Sequence, residues 1–250
     1  MDLNNKVCLV TGGTSGIGAA VSKSLLEKGA HVVVVARNKK DSELAELSKA
    51  AEAQKRRVTF IAADMGVAAD CERAVKEATE QFGRVDVLVH SAGGPTQGSL
   101  LELTAEKWMQ TFDVHVHAVF HLARAVVPGM KERKNGAILL ISSTAGLRGC
   151  LGSLAYGVAK GALPQFARAL ARELADFNIR VNCISPGVIR TPFQVILTEA
   201  QAKHNIENRI PLHREGQPSD VAQLIVTVVE NDFVTGENMV IDGGLTMRIA

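Results

Sequence analysis

Tyr156 and Lys160 stand four residues apart, and Tyr156 is the only tyrosine of the chain. On a helix, positions i and i+4 share a face with Cβ atoms about 5–6 Å apart, so the ammonium can lie beside the phenol. At about 5 Å and an effective dielectric near 20, ammonium and phenolate attract by about 3 kcal/mol. That corresponds to roughly two pKa units, which would draw a phenol from near 10 toward neutrality, where a general acid/base works best. Ser143 precedes the tyrosine at the end of a short apolar run and can hydrogen-bond a substrate oxygen. A tyrosine and a lysine at this spacing also occur on ordinary amphipathic helices, so their weight depends on what surrounds them.

The segment Thr11-Gly12-Gly13-Thr14-Ser15-Gly16-Ile17-Gly18 follows the apolar run Val7 to Val10 and opens a stretch of helical period. Glycines there permit a tight turn and let backbone N–H groups approach a pyrophosphate, which then sits at the positive end of the helix. A plain strand-to-helix turn is the simpler alternative, and the place of the loop after the first strand favours the cradle. At the end of the second apolar run, Val35-Ala36-Arg37-Asn38-Lys39-Lys40 has Ala36 and Arg37 where a dinucleotide fold selective for NAD usually has an acidic residue. A guanidinium fork suits a 2′-phosphate, so NADP(H) is predicted as the preferred carrier, with NAD(H) second. Arg37 as one member of a solvated charge cluster is the alternative.

These groups need a scaffold. Short β-branched runs at 7–11, 31–36, 58–63, 87–91, 137–142, 181–185 and 239–242 alternate with helical stretches such as 17–28, 68–81, 106–130 and 170–177. Such alternation predicts an α/β fold, a single doubly wound parallel sheet in three αβα layers, over one domain spanning 1–250. Ligands of such folds bind beyond the carboxyl ends of the strands. With 46% hydrophobic and 22% charged residues there is material for a sizeable core, and a formal net charge of +2 offers no footprint for nucleic acid or an anionic membrane. A small molecule is the predicted partner. Cys8, Cys71, Cys150 and Cys183 lie far apart, which argues against a disulfide framework and a zinc site. The N-terminal residues lack the layout of a signal peptide and no apolar run reaches membrane-spanning length, so a cytoplasmic protein is expected.

In this order the motifs resemble the short-chain dehydrogenase/reductase family, and the likeness covers essentially the whole chain. It is carried by the Thr11 to Gly18 loop, Asp64, Ser91-Ala92-Gly93, Ser143, Tyr156 with Lys160, Asn182-x-Ile184-x-Pro186-Gly187 with Thr191, and Thr235-Gly236 through Asp242-Gly243-Gly244. The resemblance implies a Rossmann-type domain that interconverts a carbonyl and a secondary alcohol. Tyr156 would exchange the proton, Ser143 would orient the substrate oxygen, and Lys160 would lower the tyrosine pKa and hold the nicotinamide ribose. Gly12, Thr14, Ser15, Gly16, Ile17 and Gly18 would cradle the cofactor phosphates. Asp64 and Met65 would meet the adenine, Ala92 and Gly93 would line the cofactor, and Pro186, Gly187, Ile189 and Thr191 would flank the nicotinamide amide and adjoining phosphate. It further implies a homotetramer or dimer, and substrates among 3-oxoacyl thioesters, sugars or cyclic ketones. A cofactor-binding regulator or structural homologue without turnover is the alternative from another class.

Two positions depart from the family pattern. His115 stands where Asp-Val-Asn is usual, and His90 where Asn-Asn-Ala-Gly is usual. In the family that helix asparagine helps hold a water in the proton relay to the lysine. His115 is therefore expected either to alter the pH response of that relay or to be a packed helix residue. His115, His117 and His121 lack the further ligands and second shell a zinc site needs, so no metal is expected. Pro164 is expected to kink the helix after Lys160 and to perturb a subunit interface. Residues 192–208 resemble a variable substrate lid and, with Gly94, Pro95, Thr96 and Leu147, suggest a moderately apolar pocket. Lys131, Arg133, Lys134, Arg168 and Arg172 are either a patch for an acidic acyl carrier protein or solvated surface charge.

Overall fold

The computed structural model of the chain describes residues 1–192 and 198–247. Seven strands form one parallel sheet: β1 (Val7–Thr11), β2 (His31–Ala36), β3 (Val58–Ala62), β4 (Val87–His90), β5 (Gly136–Ile141), β6 (Ile179–Pro186) and β7 (Asn238–Ile241), in the order β3-β2-β1-β4-β5-β6-β7. Every predicted strand is present, with ends shifted by a residue or two. The central strands read as continuous Val, Leu and Ile because helices cover both faces, and β1, β4, β5 and β6 are buried along their whole length.

Among the described residues, eight α-helices connect them: α1 (Gly16–Glu27), α2 (Asp41–Ala53), α3 (Ala68–Phe82), α4 (Ala105–Phe112), α5 (Ala118–Arg133), α6 (Leu154–Leu174), α7 (Glu199–His204) and α8 (Pro218–Glu230). Side chains alternate across each strand, so Leu9, Val33 and Leu140 face a core closed by α3, α5 and α6. Cys8, Val10, Val34 and Leu139 face the opposite core, closed by α1 and α8. The order reverses between β1 and β4, whose register pairs Thr11 with His90. The carboxyl ends of these two strands open the crevice where such sheets take ligands.

Two helices differ from the sequence expectation. The stretch 106–130 is not one helix, since a π-helical turn at Asp113–His117 separates α4 from α5. The predicted helix at 170–177 is the tail of α6, which runs unbroken through Pro164 and ends in a 3-10 turn at Ala175–Phe177. Pro164 is accommodated because the carbonyl it deprives of a helical donor has another partner. That carbonyl belongs to Lys160 and accepts Ser142 Oγ–H at 2.6 Å.

Candidate active site

The glycine loop is built for close approach. Gly12 and Gly16 have φ of +68° and +50°, a region that favours glycine. A Cβ on Gly12 would lie 3.0 Å from the backbone of Ala92, one on Gly18 would lie 2.3 Å from Gly12 O, and one on Gly16 would sit 3.1 Å from Thr191 Cγ2. The loops after β1, β4 and β6 therefore converge on one place. Thr11 Oγ1 fastens two of them by accepting from Ser91 N at 3.2 Å and Ala92 N at 3.1 Å. Ser15 at the N-cap of α1 has an extended backbone and makes no side-chain capping bond, so the first N–H groups of α1 face the cradle that Thr14, Ser15 and Ile17 border. A pyrophosphate fits this donor set.

The other expected cofactor residues fall around the same crevice. Asp64 follows β3, its N–H donating to Asp70 Oδ2 at 2.7 Å and its Oδ1 accepting from Gly66 N at 2.8 Å. Met65 turns its side chain into the core against Cys71, whose thiol also reaches Met65 O at 3.6 Å. Arg37 is exposed at the end of β2. Pro186 closes β6, Gly187 packs so tightly on Asp242 that a Cβ would lie 2.7 Å from its Cβ, and Ile189 is buried. A cavity of about 390 Å³ on the β7 and α8 side borders Ile189, Leu212, Leu224 and Ile241. Both of its carboxylates are engaged, Asp220 by Arg214 and Asp242 by Gly244 N, Thr246 N and Thr246 Oγ1.

Ser143 follows β5 and caps a 3-10 turn, its Oγ accepting from Ala145 N at 3.1 Å. That turn presses on α6 through two glycines, since a Cβ on Gly146 would lie 2.5 Å from Gly161 N. The contact brings Ser143 to Tyr156, with which it shares a hydrogen bond. Lys160 Nζ lies 5.7 Å from the centroid of the Tyr156 ring and donates to Ile141 O at 2.6 Å. The three predicted catalytic side chains thus meet at the carboxyl end of β5. Burial lowers the Lys160 pKa to about 8, with the nearby Cys183 pulling the other way.

The expected lowering of the phenol is not found. Desolvation raises the Tyr156 pKa above its ordinary value, and the Ser143 bond only partly offsets that. The ring is half-buried, which is the source of that desolvation. The lysine ammonium is turned to a backbone carbonyl.

Both departing histidines are buried at this site. His90 joins Thr11 Oγ1 through Nδ1 at 3.0 Å and Val114 O through Nε2 at 3.0 Å. His115, within the π turn, bonds Gly94 O through Nε2 at 3.1 Å and sets its ring edge-on to Tyr156, with centroids 5.5 Å apart. Burial first, and then the Lys160 charge, drive the pKa of His90 to about 3 and of His115 to about 2. His115 is therefore a packed neutral ring, the second of the two readings expected of it. No sequence signal marked the π turn, Gly146 or Gly161. Helical period continues through the first, and the glycine contact joins residues distant in sequence.

The remaining candidates disperse. His117 pairs with Asp113 at 2.8 Å and His121 lies 3.7 Å from Glu72, and no group of three or more ligating side chains is placed to hold a metal ion among the described residues. Lys131 lies over the Phe177 ring and Arg133 bonds Val85 O, whereas Lys134, Arg168 and Arg172 are exposed. Thr96 bonds Thr111 at 2.7 Å and Gly98 bridges to Ser153, which ties the loop after β4 to its surroundings. Of the expected lid, residues 193–197 lie outside the described residues. No helix among the described residues is long and apolar enough to cross a membrane.

A family model described as Enoyl-(Acyl carrier protein) reductase matches residues 12–246. The human protein named Dehydrogenase/reductase SDR family member 4 is 37% identical over 251 residues, covering 99% of this chain and 90% of its own. A 3-oxoacyl-acyl-carrier-protein reductase, FabG, of Thermotoga maritima is 36% identical over 249 residues, covering 99% of this chain and 100% of its own. Among solved structures, the L-sorbose reductase of Gluconobacter frateurii complexed with NADPH and L-sorbose superposes with a TM-score of 0.91 at 31% identity, over 100% of both chains. With the seven-stranded parallel sheet and the converging loops, these matches make the chain a member of the short-chain dehydrogenase/reductase family of oxidoreductases.

Proposed function

We propose that this protein is an NADP(H)-dependent reductase of a moderately apolar carbonyl compound, with Tyr156 as its general acid. The observation that carries the reading is the meeting of Ser143, Tyr156 and Lys160 at the carboxyl end of β5, beside the glycine cradle. The cradle and the first turn of α1 would hold the cofactor phosphates, Arg37 the 2′-phosphate, and Ile189 and Thr191 the nicotinamide end. Bound there, the cofactor supplies hydride to the carbonyl carbon. Ser143 holds the substrate oxygen in line, and Tyr156 gives its proton to the developing alkoxide. A phenol held above its ordinary pKa stays protonated at neutral pH, which suits the reductive direction. Lys160, fixed on the same helix face, holds the ribose and places a partial positive charge near the phenolate left behind.

The L-sorbose reductase was solved with NADPH, and the Thermotoga relative is named for a 3-oxoacyl substrate. Sugars and acyl thioesters are therefore the first two arms of the test, and cyclic ketones the third. Cofactor absorbance followed across this panel, with NADPH and NADH compared, is expected to show faster oxidation of NADPH. Arg37→Ala should erase that preference. Tyr156→Phe should abolish turnover while leaving cofactor affinity nearly intact, and Lys160→Ala should damage both. No turnover with either cofactor, despite tight binding, would make the chain a cofactor-binding regulator instead. A dimer or tetramer is the assembly we infer from the family pattern, read by sedimentation.

A further inference from the structure

We propose that His115 is a positioning residue for Tyr156: its ring braces the phenol against the Gly93 and Gly94 backbone and keeps water off its face, with His90 fixing the turn that carries it. This rests on the reading of Tyr156 as the proton donor.

The support starts at the π turn. Ala118 N–H bonds Asp113 O rather than Val114 O, which leaves the Val114 carbonyl for a partner outside the helix. His90 Nε2 lies 3.0 Å from it. The protonation of His90 follows from its other neighbour. Thr11 Oγ1 already accepts from Ser91 N and Ala92 N, so both its lone pairs are used and its O–H donates to His90 Nδ1. His90 therefore carries its proton on Nε2 and gives it to Val114 O. A side chain from β4 thus holds the distortion between α4 and α5 in place, and the distortion carries His115.

His115 is oriented by the same logic. A carbonyl only accepts, so the proton of His115 is on Nε2 and is given to Gly94 O. Its Nδ1 is then an unprotonated acceptor, buried and without a partner. The ring fills the space a side chain at residue 93 would need, since a Cβ on Gly93 would lie 2.0 Å from His115 Cε1, and Gly93 has φ of +131°. On its other side the ring meets Tyr156 at an interplanar angle of 80°. An edge-to-face contact of this kind fixes ring orientation.

Burial, more than the groups around it, keeps the pair neutral. Lys160 on α6 and His90 on β4 face His115, and both disfavour its protonation. Tyr156 is faced by Ser143 and Cys150 from the loop after β5 and by Lys160 on its own helix. The influence of His115 on the pH response therefore runs through the phenol, by excluding water, and not through a proton of its own.

Because Tyr156 is the only tyrosine, the near-ultraviolet phenolate band reports its ionisation without any turnover. The experiment titrates that band in the wild type, His115→Ala and His115→Gln, with far-ultraviolet circular dichroism over the same range, and then measures NADPH affinity, kcat and KM. Alanine admits water beside the phenol, and the titration midpoint is expected to move to lower pH by about one pH unit, tenfold in ionisation constant. Loss of the brace is expected to lower kcat about tenfold while NADPH affinity stays within about twofold. Glutamine keeps a donor within reach of Gly94 O, and the midpoint and kcat are expected to lie between the two. If alanine does not fold, the glutamine variant decides. A midpoint unchanged from wild type in every variant that folds overturns the proposal, as does a loss of kcat matched by an equal loss of NADPH affinity. Turnover surviving in Tyr156→Phe would sink the assigned reaction and leave the phenolate titration standing, so the two failures are distinguishable.

Discussion

Pro164 and Ser142 form a pair whose coupling can be measured. Proline lacks the N–H that would reach back four residues along α6 to Lys160 O, and that carbonyl instead accepts Ser142 Oγ–H at 2.6 Å from the end of β5. In Ser142→Ala the carbonyl is buried without a donor, a loss of about 1–3 kcal/mol. Pro164→Ala restores the helical N–H, and alanine exceeds proline in helix interiors by about 3 kcal/mol. Part of that gain is offset because the Pro164 ring is itself buried. In the double variant the new N–H takes the place of the serine, so the loss seen in Ser142→Ala should largely vanish. The expected coupling is about 1–2 kcal/mol. Urea unfolding of the four proteins of the cycle, at one protein concentration and followed by Trp108, the only tryptophan, measures it. Since Lys160 is the residue held, kcat should fall in Ser142→Ala and recover in the double variant. Additivity within about 0.5 kcal/mol would show that the serine and the proline do not share the carbonyl, and the reasoning would fail.

Three further outcomes are expected. His90 and His115 bind their protons only near pH 3 and 2 when folded, well below the ordinary histidine value, so the unfolded chain takes up more protons between those values and about 6.5. Their contribution is complete above that window and is lost as pH falls through it, at up to about 1.4 kcal/mol per pH unit for each histidine. His115→Gln should flatten the fall of stability between pH 6.5 and 4.5 by that slope, and an unchanged slope would mean that the ring is already charged. Lys160 has the same sign in an alkaline window, since burial lowers it from its ordinary 10.5 to about 8. Stability is withheld below pH 8 and regained toward 10.5, so the stability gap between Lys160→Met and wild type should move toward wild type by about 2–3 kcal/mol from pH 7 to pH 10, read by urea midpoints. Gly146→Ala would place a Cβ 2.5 Å from Gly161 N, against backbone on both sides. It should separate the Ser143 turn from α6 and lower kcat by tenfold or more, whereas Gly149→Ala, with nothing within 4 Å, should leave kcat and stability near wild type.

Strands β1, β2, β4 and β5 were legible because each is a largely β-branched or aliphatic run covered on both faces, and the glycine cradle because its backbone conformations admit few other residues. Tyr156, Lys160 and Ser143 could be found from spacing and order along the chain. Their electrostatics could not. The i, i+4 spacing places Lys160 beside the phenol, but says nothing of Ile141 O, which takes the ammonium, or of the enclosure that raises the phenol. Helical period is equally silent about the π turn, because one extra residue per turn leaves the apolar pattern of 106–130 readable as a single helix. The accommodation of Pro164 was hidden for a related reason. The freed carbonyl finds its donor in Ser142, which lies 22 residues away in sequence from Pro164.

These three surprises bear on one question, which is what sets the protonation of Tyr156. Lys160 is fixed at both ends to β5, through its ammonium to Ile141 O and through its carbonyl to Ser142, so it cannot swing to the phenol without breaking a buried bond. The ring of His115 closes another side of the phenol with a group that stays neutral across the working range. With the nearest cation held by a backbone carbonyl, desolvation is the larger effect and the phenol keeps its proton. A catalyst that must deliver a proton to an alkoxide benefits from that state, while one that must first remove a proton from an alcohol does not. On these grounds the pH dependence of carbonyl reduction should be flat through neutrality and decline only at alkaline pH. Alcohol oxidation should keep rising with pH over the same range, and a reduction rate that declines near neutrality would show that Lys160, not burial, governs the phenol.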